Sequence, residues 1–407
     1  MLWNYLKMAV KVLRRRKFFT LVSLFAIAST LVTLMVAVSF LDHVLGTRAP
    51  EVNGDRTLIL SRVEFVGPKS LYRTGPGFAL LDRFLRELPG VETLSIASES
   101  PARVVSYMGG TKVKLQMRRT DAEFWKVFHF DFVDGGPYSR EDDLEGKAVA
   151  VVSRSTAEKV FGETAAVGQT LRIDGQTFQV IGVVSDVPAY RYVPFGDFWV
   201  PIGSAKTDNY RRKLAGGFMG LFLTEPGADV SQIRSAFRDR LDAVASDEPA
   251  WELVQATLDN RIDSLTQQFG LSSTVFLGLV ALLMVLFMVL PAVNLVNLNL
   301  SRILERCAEI GVRKAFGADS FNLSIQFVIE NLVVTFLGGG IAMLGSVLIL
   351  EVIEQSGFIP YATFEMNMRI FFVSLVITLF FGILSAAYPA WRMSRLNPAD
   401  ALRGGQR

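Results

Sequence analysis

The sequence predicts a membrane protein of the α+β class, with four transmembrane helices and a large mixed α/β extracytoplasmic domain between the first and second. Three observations carry that expectation. Of the 407 residues, 50% are hydrophobic and 20% charged, too apolar for an ordinary soluble protein and too charged for a wholly embedded one. Four stretches, 18–41, 271–296, 325–350 and 370–390, reach the roughly 20 apolar residues that a helix needs to cross a bilayer. Between the first two, residues 42–268 show short alternating and helical patterns instead.

The N-terminal segment 1–17 is basic, with Lys7, Lys11, Arg14, Arg15, Arg16 and Lys17 ahead of the first apolar stretch. That stretch is longer than a signal-peptide core and no small-residue cleavage site follows it, so an uncleaved anchor is expected at 18–41. Orientation follows from the basic residues. The connection 297–324 carries Arg302, Arg306, Arg313 and Lys314, and the tail 391–407 carries Arg392, Arg395, Arg403 and Arg407. The loop 351–369 instead holds Glu351, Glu354 and Glu365, with no basic residue before Arg369. Positive charge stays inside, which places both termini and 297–324 in the cytoplasm and 42–268 outside.

In the outer domain, RTLILSRVEF reads as a strand and FALLDRFLREL as a helix. VVSYMGGTKVKLQMR reads as a hairpin about Gly109 and Gly110, and Asp121 is placed to cap a short helix in TDAEFWKVF. AVAVVSRSTAEKVFG gives a strand and a serine-capped helix ending at Gly162. LRIDGQTFQVIGVV is a hairpin whose Asp174 and Gly175 suit a turn with positive φ. DVSQIRSAFRDRLDAVA is an amphipathic helix leading back toward the membrane. There is no internal repeat and no low-complexity linker.

The residues exclude most chemistry. A single cysteine, Cys307, rules out an internal disulfide framework, and two distant histidines, His43 and His129, rule out the usual zinc clusters. Asp42 and His43 lack any nucleophile context, so His43 is expected as a surface histidine at the end of a span. The run EDDLEG lacks the alternating oxygen ligands of a calcium loop and reads as a solvated acidic turn. VGPKS lacks the spacing of a phosphate loop, and no such motif occurs elsewhere in the sequence. The chain is therefore expected to be non-catalytic and to bind no cofactor. Any ATP is bound by another chain.

One segment stands apart. ERCAEIGVRKAFGA, beginning at Glu305, is a short charged helical pattern set between two apolar stretches. Glu309 and Arg313 are spaced for a helical ion pair, and Gly317 can end the helix. A basic amphipathic helix of this kind can rest on lipid headgroups. Its glutamates, Glu305 and Glu309, suit a protein partner better.

This segment, continued by QFVIENLVVTFLGGGIAMLG, resembles the signature of the MacB/FtsX-type permeases of ABC transporters. The tail SAAYPAWRMSRLNPADALR resembles that family's C-terminus, and AVVSRSTAEKVFGETAAVGQTLRIDGQTFQVIGVVSDVP resembles the periplasmic core domain of its MacB-like members. The resemblance implies that 305–317 is the coupling helix that sits in a groove of an ATPase. Its residues would be Glu305, Arg306, Glu309, Ile310, Gly311, Arg313, Lys314, Ala315, Phe316 and Gly317. It implies a dimer of permeases, homomeric or with a related chain, above two ATPase subunits that carry ATP and Mg. A periplasmic adaptor and an outer-membrane channel are further candidate partners, beside the lipid bilayer; nucleic acid is not among them. The location implied is the cell inner membrane, multi-pass, with the large domain periplasmic. A chain that opens on its membrane anchor resembles the stand-alone permeases rather than those fused to an ATPase. The function so implied is mechanotransmission: ATP-driven motion passed to the periplasmic domain for export or efflux. Lipoprotein release, and FtsX-like control of a cell-wall hydrolase, remain open alternatives.

Within the spans, Gly338, Gly339 and Gly340, with Gly345 beyond, allow close approach of helices, although glycine is common in membrane helices generally. Pro291 is expected to kink the second span. Glu330, a turn or two inside the third, is expected to pair with a cytoplasmic arginine rather than relay protons.

Overall fold

Two kinds of sequence build two units in the computed structural model. It describes residues 17–286, apart from 109, 110, 163, 249, 268 and 269, and then 320–361. It also describes 289, 293, 312, 316, 364, 368–369, 371–373, 375–376, 379–380 and 383. The membrane unit comprises Met1–His43, Leu277–Phe358 and Thr363–Arg407; the outer unit comprises Val44–Phe276 together with Ile359–Ala362.

In the membrane unit, Thr20–Leu45 and Val328–Gln355 are helices long and apolar enough to cross a bilayer. They belong to the helices Lys17–Leu45 (α1) and Ser320–Gln355 (which becomes α5 in chain order). A helix is the answer because it satisfies its own backbone where no water can. The expected spans at 271–296 and 370–390 are described only in part, as the shorter apolar helix Ser273–Leu286 and as helical positions between 368 and 383. Ile27, Ala28 and Leu31 of α1 pack on Val334 and Ala342 of α5. His43 is not the surface histidine expected. It is buried, its Nδ1 donates to the Ser39 carbonyl at 2.8 Å, and its ring meets Phe364 edge-on. A histidine one turn before a helix end can turn inward because the carbonyl four residues back accepts its N–H.

The outer unit is built from short strands. They are β1 Thr57–Leu60, β2 Val63–Gly67, β3 Ser70–Pro76, β4 Val91–Ser98, β5 Ala102–Met108, β6 Thr111–Thr120 and β7 Phe132–Gly135. Then follow β8 Val149–Ser153, β9 Thr170–Ile173, β10 Gln176–Val184, β11 Phe198–Pro201, β12 Ala215–Gly216, β13 Phe218–Thr224 and β14 Leu253–Ala256. In the larger sheet the order is β1-β13-β4-β6-β11-β8-β10-β9-β5, and β5 pairs back onto β6. Six strands, β6-β11-β8-β10-β9-β5, thereby close into a barrel, which removes their free edges. Leu115, Val152, Phe178, Val180 and Phe198 are among the residues that fill one core of this region. A smaller sheet, β12-β3-β2-β14, packs with the helix Val230–Asp247 (α3) over Phe65, Phe237, Leu241 and Val254.

Local expectations fare well where a turn or cap decides. The β9–β10 hairpin turns through Asp174 at φ 47° and Gly175 at φ 79°, the left-handed pair that the aspartate–glycine dipeptide accommodates. Ser153 caps the helix Arg154–Phe161 (α2), whose C-cap is Gly162. The helix Phe124–Val127 takes Glu123, not the expected Asp121, as its N-cap, although Asp121 Oδ1 accepts the Phe124 N–H. Three other readings change. RTLILSRVEF is two strands, not one: β1 pairs β13 in the large sheet while β2 pairs β3 and β14 in the small one. The run EDDLEG opens as the helix Arg140–Leu144, capped by Ser139, with Asp143 Oδ1 accepting the Gly203 N–H. Finally, α3 is not the last element before the second apolar stretch: β14 and the helix Arg261–Gln267 (α4) follow it.

Candidate functional site

The charged segment at 305–317 lies mostly outside the described residues: Glu305, Arg306, Glu309, Ile310, Gly311, Arg313, Lys314, Ala315 and Gly317 are not described. Neither is Pro291. Val312 and Phe316 are. The Phe316 N–H donates to the Val312 carbonyl at 3.1 Å, one helical turn. Phe316 is 88% exposed and Val312 is also exposed, so two apolar side chains four residues apart lie in the open. The sequence singled out Phe316; its i,i+4 spacing would have added Val312.

In the membrane unit, a Cβ on Gly338 would sit 2.6 Å from Ile27 Cγ2, and one on Gly345 would sit 3.1 Å from Val32 Cγ2. The approach these glycines permit is to α1 of the same chain. A Cβ on Gly339 would sit 3.2 Å from Leu375 Cδ1, while Gly340 faces no atom within 4 Å among the described residues. Glu330 is buried and accepts from Gln326 Nε2 at 3.0 Å, one turn back along α5.

A buried polar cluster in the outer unit is not legible in the sequence as a motif. Asn260 Oδ1 accepts the Asp263 N–H and so caps α4, whose first residue is Arg261. Asp259 anchors this start from behind: its backbone bridges Ile59, and its carboxylate accepts from Thr257 and Gln267. Burial pushes the Asp259 carboxyl up, opposed by those two bonds. Within the same unit, Arg261 donates Nη2 to the Val44 carbonyl at 2.8 Å and Nη1 to the Gly46 carbonyl at 3.2 Å. Nη1 also bonds Glu51 Oε2 at 2.9 Å. That same oxygen takes Arg191 Nη1 at 2.5 Å. Side-chain exposure is 2% for Arg191, 6% for Glu51 and 14% for Arg261.

One carboxylate therefore holds two guanidinium groups out of water, beside carbonyls that end a helix. The negative end of the helix dipole favours cations there. The cluster fixes one backbone segment against another. Among the described residues no group of three or more histidines, cysteines and acids could hold a metal ion.

Residues 20–240 match the family model for a MacB-like periplasmic core domain, and residues 281–398 match that for an FtsX-like permease C-terminal region. The chain is 24% identical over 311 residues to the uncharacterized ABC transporter permease YknZ of Bacillus subtilis, covering 74% of each chain. It is 25% identical over 399 residues to the pyoverdine export ATP-binding/permease protein PvdT of Pseudomonas savastanoi, covering 90% of this chain and 56% of that one. The macrolide export ATP-binding/permease protein MacB of Bdellovibrio bacteriovorus is 25% identical over 78% of this chain and 48% of its own. The chain thus spans about half the length of the relatives that carry an ATP-binding part. Among solved structures, the extracellular domain of YknZ aligns with 49% of the chain at 19% identity and a TM-score of 0.38. The periplasmic region of MacB from Actinobacillus actinomycetemcomitans aligns with 53% at 13% identity and a TM-score of 0.39.

Proposed function

Because the chain belongs to the family of MacB/FtsX-type ABC transporter permeases, with a MacB-like periplasmic core domain ahead of an FtsX-like permease C-terminal region, we propose that it is a mechanical subunit. It couples ATP hydrolysis by a separate ATPase to movement of its periplasmic domain, for export or efflux of a substrate from the periplasm. The observation that carries this reading is Arg261. It opens the helix that precedes the second apolar stretch in sequence and bonds the Val44 and Gly46 carbonyls that follow the first. Displacement of either connection is then felt by the other.

In this reading the chain crosses the inner membrane four times, with both termini in the cytoplasm. Segment 305–317 docks in a groove of the ATPase, two copies of which carry ATP and Mg beneath a pair of permeases. Phe316 and Val312 supply its apolar contact, and Glu309 and Arg313 its charge pattern. Lipoprotein release and control of a cell-wall hydrolase use the same motion and differ only in what the outer domain touches.

The test replaces Glu309→Lys and Arg313→Glu separately and measures co-purification with the ATPase and ATP turnover of the complex. An exposed helical ion pair contributes only about 0.3–0.5 kcal/mol to the fold, so expression should be unchanged. Loss of assembly in both variants supports docking on a protein. Normal assembly and turnover with Glu309→Lys would remove that residue from the interface, because a purely lipid-facing helix tolerates added positive charge. The chain purified alone should hydrolyse no ATP.

A further inference from the structure

The loop 187–197, between β10 and β11, receives bonds from three stretches that lead to or from the membrane. Arg191 Nη2 donates to the Gly46 carbonyl, just past the end of α1, at 3.3 Å. Through Glu51 the same guanidinium is joined to Arg261, at the start of α4. The third stretch is Ile359–Ala362, which follows α5 in sequence and belongs to the outer unit. There the Ala189 N–H donates to the Pro360 carbonyl at 3.1 Å, and Tyr361 Oη donates to Asp197 Oδ1 at 2.9 Å. The Tyr361 ring lies beside Phe195, and its backbone is held at φ 58°, a conformation a tyrosine rarely adopts without being held.

The loop is braced from the other side. Arg118 of β6 is fully buried and donates Nε to the Phe195 carbonyl at 2.7 Å, Nη2 to that of Tyr192 at 2.8 Å and Nη1 to that of Ser98 at 2.6 Å. Burial lowers its guanidinium to about 10, an unfavourable placement for a cation that the three carbonyls offset. Trp199 Nε1 donates to the Pro194 carbonyl, and Tyr192 Oη to that of Glu99. A buried arginine spread over carbonyls does little for the core that an apolar side chain would not do. It does stiffen the loop it crosses.

We propose that loop 187–197 is the collector of motion in the outer domain: a stiff member, braced by Arg118, that binds three membrane connections into one moving part, with Arg191 and Tyr361 as its positioning residues. This rests on the mechanical reading above. The loop is fixed to the barrel through β6 and β11, so a displacement at any of the three connections moves the barrel as a body instead of bending one strand.

The test uses the full chain with its ATPase in lipid nanodiscs and reads amide hydrogen exchange with and without a non-hydrolysable ATP analogue. In the wild type, nucleotide should alter exchange in 187–197 and in α4. Tyr361→Phe keeps the ring beside Phe195 and removes only the bond to Asp197. It should speed exchange in 187–197 by about fivefold, the weight of one hydrogen bond, and blunt the nucleotide response there while the melting temperature holds. A response in Tyr361→Phe equal to that of the wild type overturns the collector and leaves the mechanical reading standing. No response anywhere in the wild-type outer domain overturns the mechanical reading, and the collector with it. A second arm joins Ala189→Cys to Pro360→Cys in a Cys307→Ser chain. The oxidised form should keep its nucleotide response; loss on oxidation with recovery on reduction would mean that the loop lets go in each cycle, and would overturn the proposal.

Discussion

The two units hold themselves together by opposite means. In the outer unit, apolar side chains fill the interior and buried charges are answered one by one, as Arg118 is by three carbonyls and Glu51 by two guanidinium groups. In the membrane unit, α5 turns Leu337, Leu344 and Leu348 outward and buries Gln326, Asn331, Thr335 and Ser346. Its contact with α1 is made where Gly338 and Gly345 let Ile27 and Val32 approach, and by Leu31, Val334 and Ala342. The solvent explains the difference. Water drives apolar surface inward, and polar groups that follow must find partners. Lipid offers no such drive, so helices join through close backbone approach and a few polar side chains. Geometry in the outer unit therefore hangs on charge pairing, and in the membrane unit on absent side chains.

The comparison breaks most sharply at Glu51. Glu51→Ala leaves Arg191 and Arg261 buried without their carboxylate and should destabilise the outer unit by about 3–5 kcal/mol, read by chemical unfolding. A loss below about 1 kcal/mol would mean that water or another acceptor reaches the cluster.

Asp121 tests the same principle through pH. Its carboxyl is fully buried and pushed up to about 8, chiefly by burial and then by Glu123, with the bonds from Ser95 and Ile96 opposing. A carboxyl raised in the folded state keeps its proton there. The stability this contributes is complete below the ordinary aspartate range and is lost as pH rises toward about 8. Outer-unit stability should fall as pH rises from 5 to 8, and Asp121→Asn should flatten that fall, read by chemical unfolding across the range.

On the membrane side, Gly338→Val drives a Cβ onto Ile27 and should lower stability of the full chain in detergent by about 1–3 kcal/mol. Gly340→Val meets no described atom and should change it by less than about 0.5 kcal/mol. Equal effects at the two positions would dissolve the distinction between a glycine that packs and one that does not. Smallest of all should be Arg73→Ala, which removes an exposed cross-strand pair with Glu64 and should shift outer-unit stability by no more than about 0.5 kcal/mol.

The sequence by itself determined the class of each region and much of the local structure. Apolar length marked α1 and the membrane part of α5, and the dipeptide Asp174–Gly175 announced its hairpin. Ser153 announced its helix start. These are properties of neighbouring residues, set by period, cap and φ, so a linear reading finds them. It joined β1 to β2 because a run of alternating residues does not say where a chain changes sheets; only the partners β13 and β14 decide that. It placed His43 at the surface because burial depends on what the rest of the fold brings near, here Phe364. Nor could it find the cluster around Glu51. Glu51 lies 140 residues from Arg191 and 210 from Arg261, and each looks like an ordinary surface charge in its own stretch. Tyr361 meets Asp197 across 164 residues. Charges of this kind are removed from water only when the chain has closed over them, and that closure is a property of the tertiary structure alone.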